Sequence, residues 1–206
     1  PDWFRHPDKS LAHGQRLAII RNAWRLAKKP DTALRAGRRQ RISDFGLFGY
    51  AMASSPTFAD ALRFGMQHLE LAGPVIRISV ETHGDVLVFR SHNPQTLGSL
   101  LPFAAEFWRS SMSTLMSLVM ERPFPNRAMF FPYAAPTYVA ELRKTFDCPL
   151  HFNADRMEWH VDAGILNEPC PNASTLTAKV CTNFCDRVLA SSDGQTALQR
   201  EIRLIF

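Results

Sequence analysis

At 206 residues and 46% hydrophobic, the chain is long enough for one sizeable core, or for one domain with an appendage. No run approaches the roughly 18 consecutive apolar residues needed to cross a bilayer, and the opening PDWFRHPDKS lacks the basic-then-apolar order of a secretory signal. The net charge of +5 is unevenly placed, +7 over residues 1–50 and −2 over the remainder. That permits an acidic partner such as nucleic acid, although a solvated helical face is the preferred reading.

Leu17, Ile20 and Trp24 recur within Leu11–Ala27 with polar residues between them and predict an amphipathic helix. Pro30-Asp31 opens a shorter one, with Ala33, Leu34 and Ala36 ahead of Gly37. Asp44 to Ala72 then reads as two helices joined at a hard break. Phe45, Phe48 and Met52 mark the first, and Phe58, Leu62, Met66 and Leu69 the second. At the joint, Ser55 is expected to act as N-cap with Pro56 at the first helical position. Gly73-Pro74 closes the second helix.

The period changes after Pro74. Val75, Ile76, Ile78 and Val80 precede His83-Gly84, and Val86 to Phe89 follow, which predicts a β-hairpin about a short turn. Arg77, Ser79 and Glu81 alternate with the apolar residues, so one face is buried and one is wet. Leu97 to Met120 is the most apolar stretch and predicts an interior helix. Its exception is a stripe, Glu106, Ser110, Ser113 and Ser117, at spacings of four, three and four. Either this is a thin solvent-facing edge, the preferred reading, or it is a pocket wall in which Glu106 meets a cationic or hydroxylated ligand beside Phe107, Trp108 and Met112. Ala128–Phe131 predicts a strand, Thr137–Phe146 a helix, and Leu150–Asn153 and Met157–Val161 short strands. Ser174 starts a helix through Ala190, and a final helix is expected after a break at Ser192-Asp193-Gly194.

Catalytic signatures are missing: there is no GxSxG, GxxxxGKS, GxGxxG or HExxH. Cys148, Cys170, Cys181 and Cys185 form no CxxC pair, which suits a reducing, cytoplasmic compartment. Cys181 and Cys185 lie four apart on a helix and could share a metal. A structural site takes four ligands, so buried free thiols are the stronger reading, with no metal and no cofactor expected. Phe130, Phe131 and Tyr133 form a second aromatic cluster, read as core.

Three stretches together resemble a known family. The first is Ile42 to Leu71, with Gly46-Leu47-Phe48-Gly49-Tyr50, the break Ser54-Ser55-Pro56-Thr57 and an Ala-Leu helix. The second is the hairpin Val75 to Ser91. The third runs from Ala134 to Ala154, with Ala135-Pro136, Tyr138, Phe146-Asp147-Cys148-Pro149-Leu150-His151-Phe152 and Ala154. In order and spacing they resemble the N-terminal, arabinose-binding-like domain of AraC-type transcriptional regulators. Cys170 departs from the pattern, since relatives usually carry leucine there.

The resemblance implies a cytoplasmic bacterial sensor that binds a small-molecule effector and acts through a homodimer on DNA, by way of a C-terminal helix-turn-helix region of about a hundred residues absent from these 206. It divides the chain into an effector-binding and dimerisation domain at 1–192 and the start of a linker helix at 193–206. The expected fold is α+β, several helices on a small, mostly antiparallel sheet. Effector contacts are expected among Phe48, Tyr50, Glu106, Phe107, Trp108, Ser110, Met112, Phe131 and Tyr133. Dimer contact and transmission are expected among Leu176, Val180, Phe184, Val188, Leu198 and Ile202. The rival readings are a metal- or cysteine-dependent sensor or small enzyme, and a pure oligomerisation module.

Overall fold

A computed structural model describes the backbone of residues 12–205 and the side chains of residues 12–190. The fold is α+β, as expected. Helices α1 (His13–Leu26), α2 (Thr32–Gly37), α3 (Gly46–Ala53) and α4 (Phe58–Gln67) precede the hairpin of β1 (Arg77–His83) and β2 (Val86–His92). The long helix α5 (Leu101–Met120) follows, then β3 (Asn126–Phe130), α6 (Val139–Phe146), β4 (Leu150–His151), β5 (Met157–Asp162) and α7 (Thr175–Ile205).

The five strands lie in the order β1-β2-β5-β3-β4, antiparallel except for the β3–β4 pair. Strand alternation divides the sheet chemically. Ile78, Val80, Leu87, Phe89, Met129, Trp159 and Val161 share one face through the pairs Val80–Phe89, Phe89–Trp159, Leu87–Val161 and Met129–Trp159, and the helices cover that face. The opposite face carries Glu81, Arg90, Glu158 and His160, where Arg90 Nε donates to Glu158 at 2.9 Å. Trp159 anchors the inner face. Its ring stacks on Phe89 at 4.9 Å, and its indole N–H donates to Asn126 at 2.8 Å, so its polar end has a partner despite burial.

The joint between α3 and α4 differs from the expectation. Thr57, not Ser55, is the N-cap: its hydroxyl accepts from the Asp60 amide and donates to the Asp60 carboxylate. Pro56 therefore lies outside the helix, and Ser55 donates back to the Ala51 carbonyl at 2.9 Å, closing α3. The reason is tertiary. Residues 54–58 pair with the segment before α7, through Phe58 N–H to Glu168 O, Cys170 N–H to Pro56 O and Ser174 N–H to Ser54 O. That pairing holds Thr57 in extended backbone, which is the conformation an N-cap needs. Thr57→Ala is expected to cost about 1 kcal/mol in a urea melt, and Ser55→Ala clearly less.

Two further expectations change. The stripe on α5 is a solvent edge only at its C-terminal end: Glu106 and Ser110 are fully buried and Ser113 nearly so, because α2 lies along them, while Ser117 is half-buried. The break at residues 192–194 is absent, and the backbone of α7 runs unbroken from Thr175 to Ile205. A glycine inside a helix costs only about 1 kcal/mol relative to alanine, too little to stop a helix of 31 residues. Gly49 of the signature stretch has a plain steric role: a Cβ there would lie 2.4 Å from the Ile42 carbonyl oxygen.

Candidate functional site

Helix α5 presents two different faces. Trp108, Arg109, Met112 and Met116 lie on one, toward α3, α4 and the inner face of the sheet. The Glu106 stripe lies roughly a third of a turn away, at 3.6 residues per turn.

The first face closes a cavity. Phe48 and Met52 of α3, Leu62, Gly65 and Met66 of α4, and Leu69 just beyond it form one wall. Ile78, Phe89, Ser91 and Trp159 form the sheet wall. The cavity is narrow, with a volume of about 30 Å3. Four lining residues are methionines, whose flexible thioethers can repack around an entering molecule. The lining is apolar except for Arg109 and Ser91. Arg109 is 3% exposed, its guanidinium carbon lies 5.8 Å from the centre of the Trp159 ring, and its Nε and Nη2 have no hydrogen-bond partner. Burial lowers its pKa to about 10, against the opposing pull of Tyr133 and Glu158.

The second face is polar, closed at Glu106 and open toward Ser117. Glu106 is fully buried, and the hydroxyl of Tyr138 donates to both of its carboxylate oxygens, at 3.1 and 3.0 Å. Desolvation raises Glu106 to about 7; the Tyr138 hydrogen bond works against that rise and the charge of Asp31 adds to it. Ser110 donates to the Glu106 carbonyl of its own helix at 2.7 Å. Ser110, Ser113 and Ser117 also line an open cleft of about 800 Å3, solvent included, with Arg38, Glu121 and Arg122 at its rim.

The expected contact residues are thus dispersed. Phe48, Trp108 and Met112 meet in the apolar cavity. Glu106 is held by Tyr138, Ser110 lies in the polar cleft, Phe107 is half-buried and Tyr50 is exposed on α3. Phe131 is fully buried, stacked on Phe152 at 5.3 Å and tilted against Tyr133 at 5.4 Å. The Tyr133 hydroxyl is buried without a partner. Arg109 escaped the sequence reading, although its signal was there: it sits on one helical face with Trp108, Met112 and Met116, where a charge has no solvent to reach.

On α7, Cys181 and Cys185 are free thiols buried against the core, and their helix packs on α3. The outward side bears Leu176, Val180 and Phe184, at 76%, 59% and 39% exposure, while Val188 is partly buried. The side chains of Leu198 and Ile202 lie outside the described residues. His68, at the end of α4, ties this helix to the cavity wall: its Nε2 lies 2.7 Å from the Asp186 carboxylate and its Nδ1 3.0 Å from the Phe64 carbonyl oxygen.

Residues 1–170 match the family model of the arabinose-binding domain of AraC transcription regulators, N-terminal. The chain belongs to this family. Among curated relatives of the AraC-type domain, an ornithine utilization regulator of Pseudomonas aeruginosa is 23% identical over 209 residues, covering 100% of this chain and 61% of the relative. An uncharacterized HTH-type transcriptional regulator of Mycobacterium bovis is 26% identical over 210 residues, covering 94% and 59%. The AraC-type domain therefore spans about three fifths of the length of these relatives. The crystal structure of the transcriptional regulator CdpR from Pseudomonas aeruginosa shares the fold, with a TM-score of 0.65 at 17% identity over 82% of this chain and 59% of that one. Among the described residues, no helix is long and apolar enough to cross a membrane.

Proposed function

We propose that this domain is the effector sensor of a cytoplasmic transcription regulator, with the effector in the methionine-lined cavity and the response carried by α7 to a dimer and its DNA-binding region. One observation supports this most: the wall of the cavity is tied directly to α7. Gly65, Met66 and Leu69 line the space, and His68 between them holds Asp186. The Ser54–Ser174 bond ties the α3–α4 joint to the start of the same helix. A ligand that favours one packing of these residues would bias the position of α7 and so the equilibrium between dimer geometries. The exposed row Leu176, Val180 and Phe184 suits an isologous helix contact.

A thermal-shift screen over amines, amino acids, sugars and carboxylic acids tests the sensor reading, with ornithine included because a relative is named for its use. An effector at a hundred times its Kd adds about 2.7 kcal/mol of stability, a shift of several degrees. Gly65→Leu, which fills the cavity beside Met52, is expected to abolish that shift in a folded protein. No shift with any compound would leave a bare oligomerisation module. In the same preparation, light scattering on Val180→Glu/Phe184→Glu is expected to give a monomer where the parent chain gives a dimer; an unchanged mass removes α7 as the interface.

A further inference from the structure

The effector reading leaves the chemistry of the effector open. Resting on that reading, we infer that the cavity takes an anionic ligand, a carboxylate on an apolar body, with the carboxylate held by Arg109. Two of the guanidinium nitrogens, Nε and Nη2, are fully buried and have no hydrogen-bond partner. These are the adjacent pair whose N–H bonds run parallel, the edge of the fork that takes both oxygens of one carboxylate. An arginine that is 3% exposed and unpaired there is costly to the fold, a cost that a partner from outside the chain would offset.

The chain's own acids nearby are already engaged. Glu158, whose charge acts on Arg109, is held by Arg90 at 2.9 Å and His160 at 2.9 Å. Glu106 is held by Tyr138. The Trp159 face stabilises the cation without using its N–H groups. Around it, Phe48, Met52, Met66, Met112 and Met116 offer only apolar, deformable contact, which suits a hydrocarbon or aromatic body and gives a second charged group nothing to pair with.

Calorimetric titration of the full chain with hexanoate and 3-phenylpropionate, set against 1-hexanol, hexylamine and acetate, tests this. Both apolar acids are expected to bind at least tenfold more tightly than the alcohol and the amine, and acetate at least tenfold more weakly than hexanoate. Arg109→Met is expected to erase the preference for acid over alcohol while its melting temperature holds or rises, as relief of an unpaired buried charge requires. Arg109→Lys keeps the charge but loses the fork, and is expected to bind hexanoate at least fivefold more weakly. Equal binding of hexanoate and hexanol overturns the carboxylate assignment and leaves the sensor reading standing. Tighter binding of hexylamine, acetate binding as well as hexanoate (an adventitious anion site only), or no binding of either acid overturns it too. A melting temperature that falls in Arg109→Met with acid preference intact would make Arg109 a core support of Trp159 instead.

Discussion

Gly37→Ala is expected to lower the stability of this domain by about 2 kcal/mol, although alanine is the better helix former by about 1 kcal/mol. The reason is the close approach of α2 to α5. A Cβ at Gly37 would lie 2.0 Å from Ser110 Oγ and 2.7 Å from both the Phe107 carbonyl oxygen and the Ser111 nitrogen. The serine hydroxyl can rotate away, but the two backbone atoms cannot, so α2 must lift off and expose part of the packing of Ala33 and Leu34, both fully buried. Urea denaturation checks the loss, and Gly37→Ala/Ser110→Gly is expected to recover only a minor part of it. Full recovery would show that the side-chain clash alone matters.

Glu106 is expected to make the domain less stable as pH rises from about 4.5 to about 7. At low pH both the folded and the unfolded chain hold its proton, and it contributes no pH dependence. Above its usual 4.5 the unfolded chain releases the proton, while the buried, folded group keeps it up to about 7. Over that window the folded state binds more protons, so stability falls with rising pH, by about 3 kcal/mol in all at ~1.4 kcal/mol per pH step of one. Above about 7 both states are ionised and the slope ends. Glu106→Gln removes the effect: in urea melts it should match the parent at pH 4 and exceed it by about 2–3 kcal/mol at pH 8. Tyr138→Phe should extend the falling window upward, since its O–H is the group that favours the ionised form. A parent chain whose stability is level between pH 4.5 and 7, relative to Glu106→Gln, would refute the assignment.

Both results bear on how much could be seen in the residues alone. The helical and β periods were legible because burial on one side imposes them: the alternation in Ile76–Glu81 and the spacing of Phe58, Leu62 and Met66 read directly as the hairpin and α4. The signature stretch was legible as a pattern, but its physical roles were not. Gly49 is required by the Ile42 carbonyl, and Thr57 caps α4 because a segment more than a hundred residues later holds it extended. A local signal for the cap was also there: Thr57 stands three before Asp60, the spacing of a capping box, whereas Ser55 stands three before Phe58. The serine stripe of α5 looked like a wet edge because small polar residues suit water; they also suit a second helix packed as closely as α2 is at Gly37.

The sequence by itself determined the α+β class, the order of the elements and membership of the AraC-type sensor family. Each is written in short-range periodicity and in motifs whose order survives low identity. Only the tertiary structure decided which polar groups on α5 face what. Glu106 and Arg109 stand three apart on one helix, yet one is closed against Tyr138 and the other lines the apolar cavity with two buried guanidinium nitrogens unpartnered. That division depends on what packs on each side of the helix, α2 and Tyr138 on one and α3, α4 and the sheet on the other. It is a property of distant contacts that spacing along the chain does not encode.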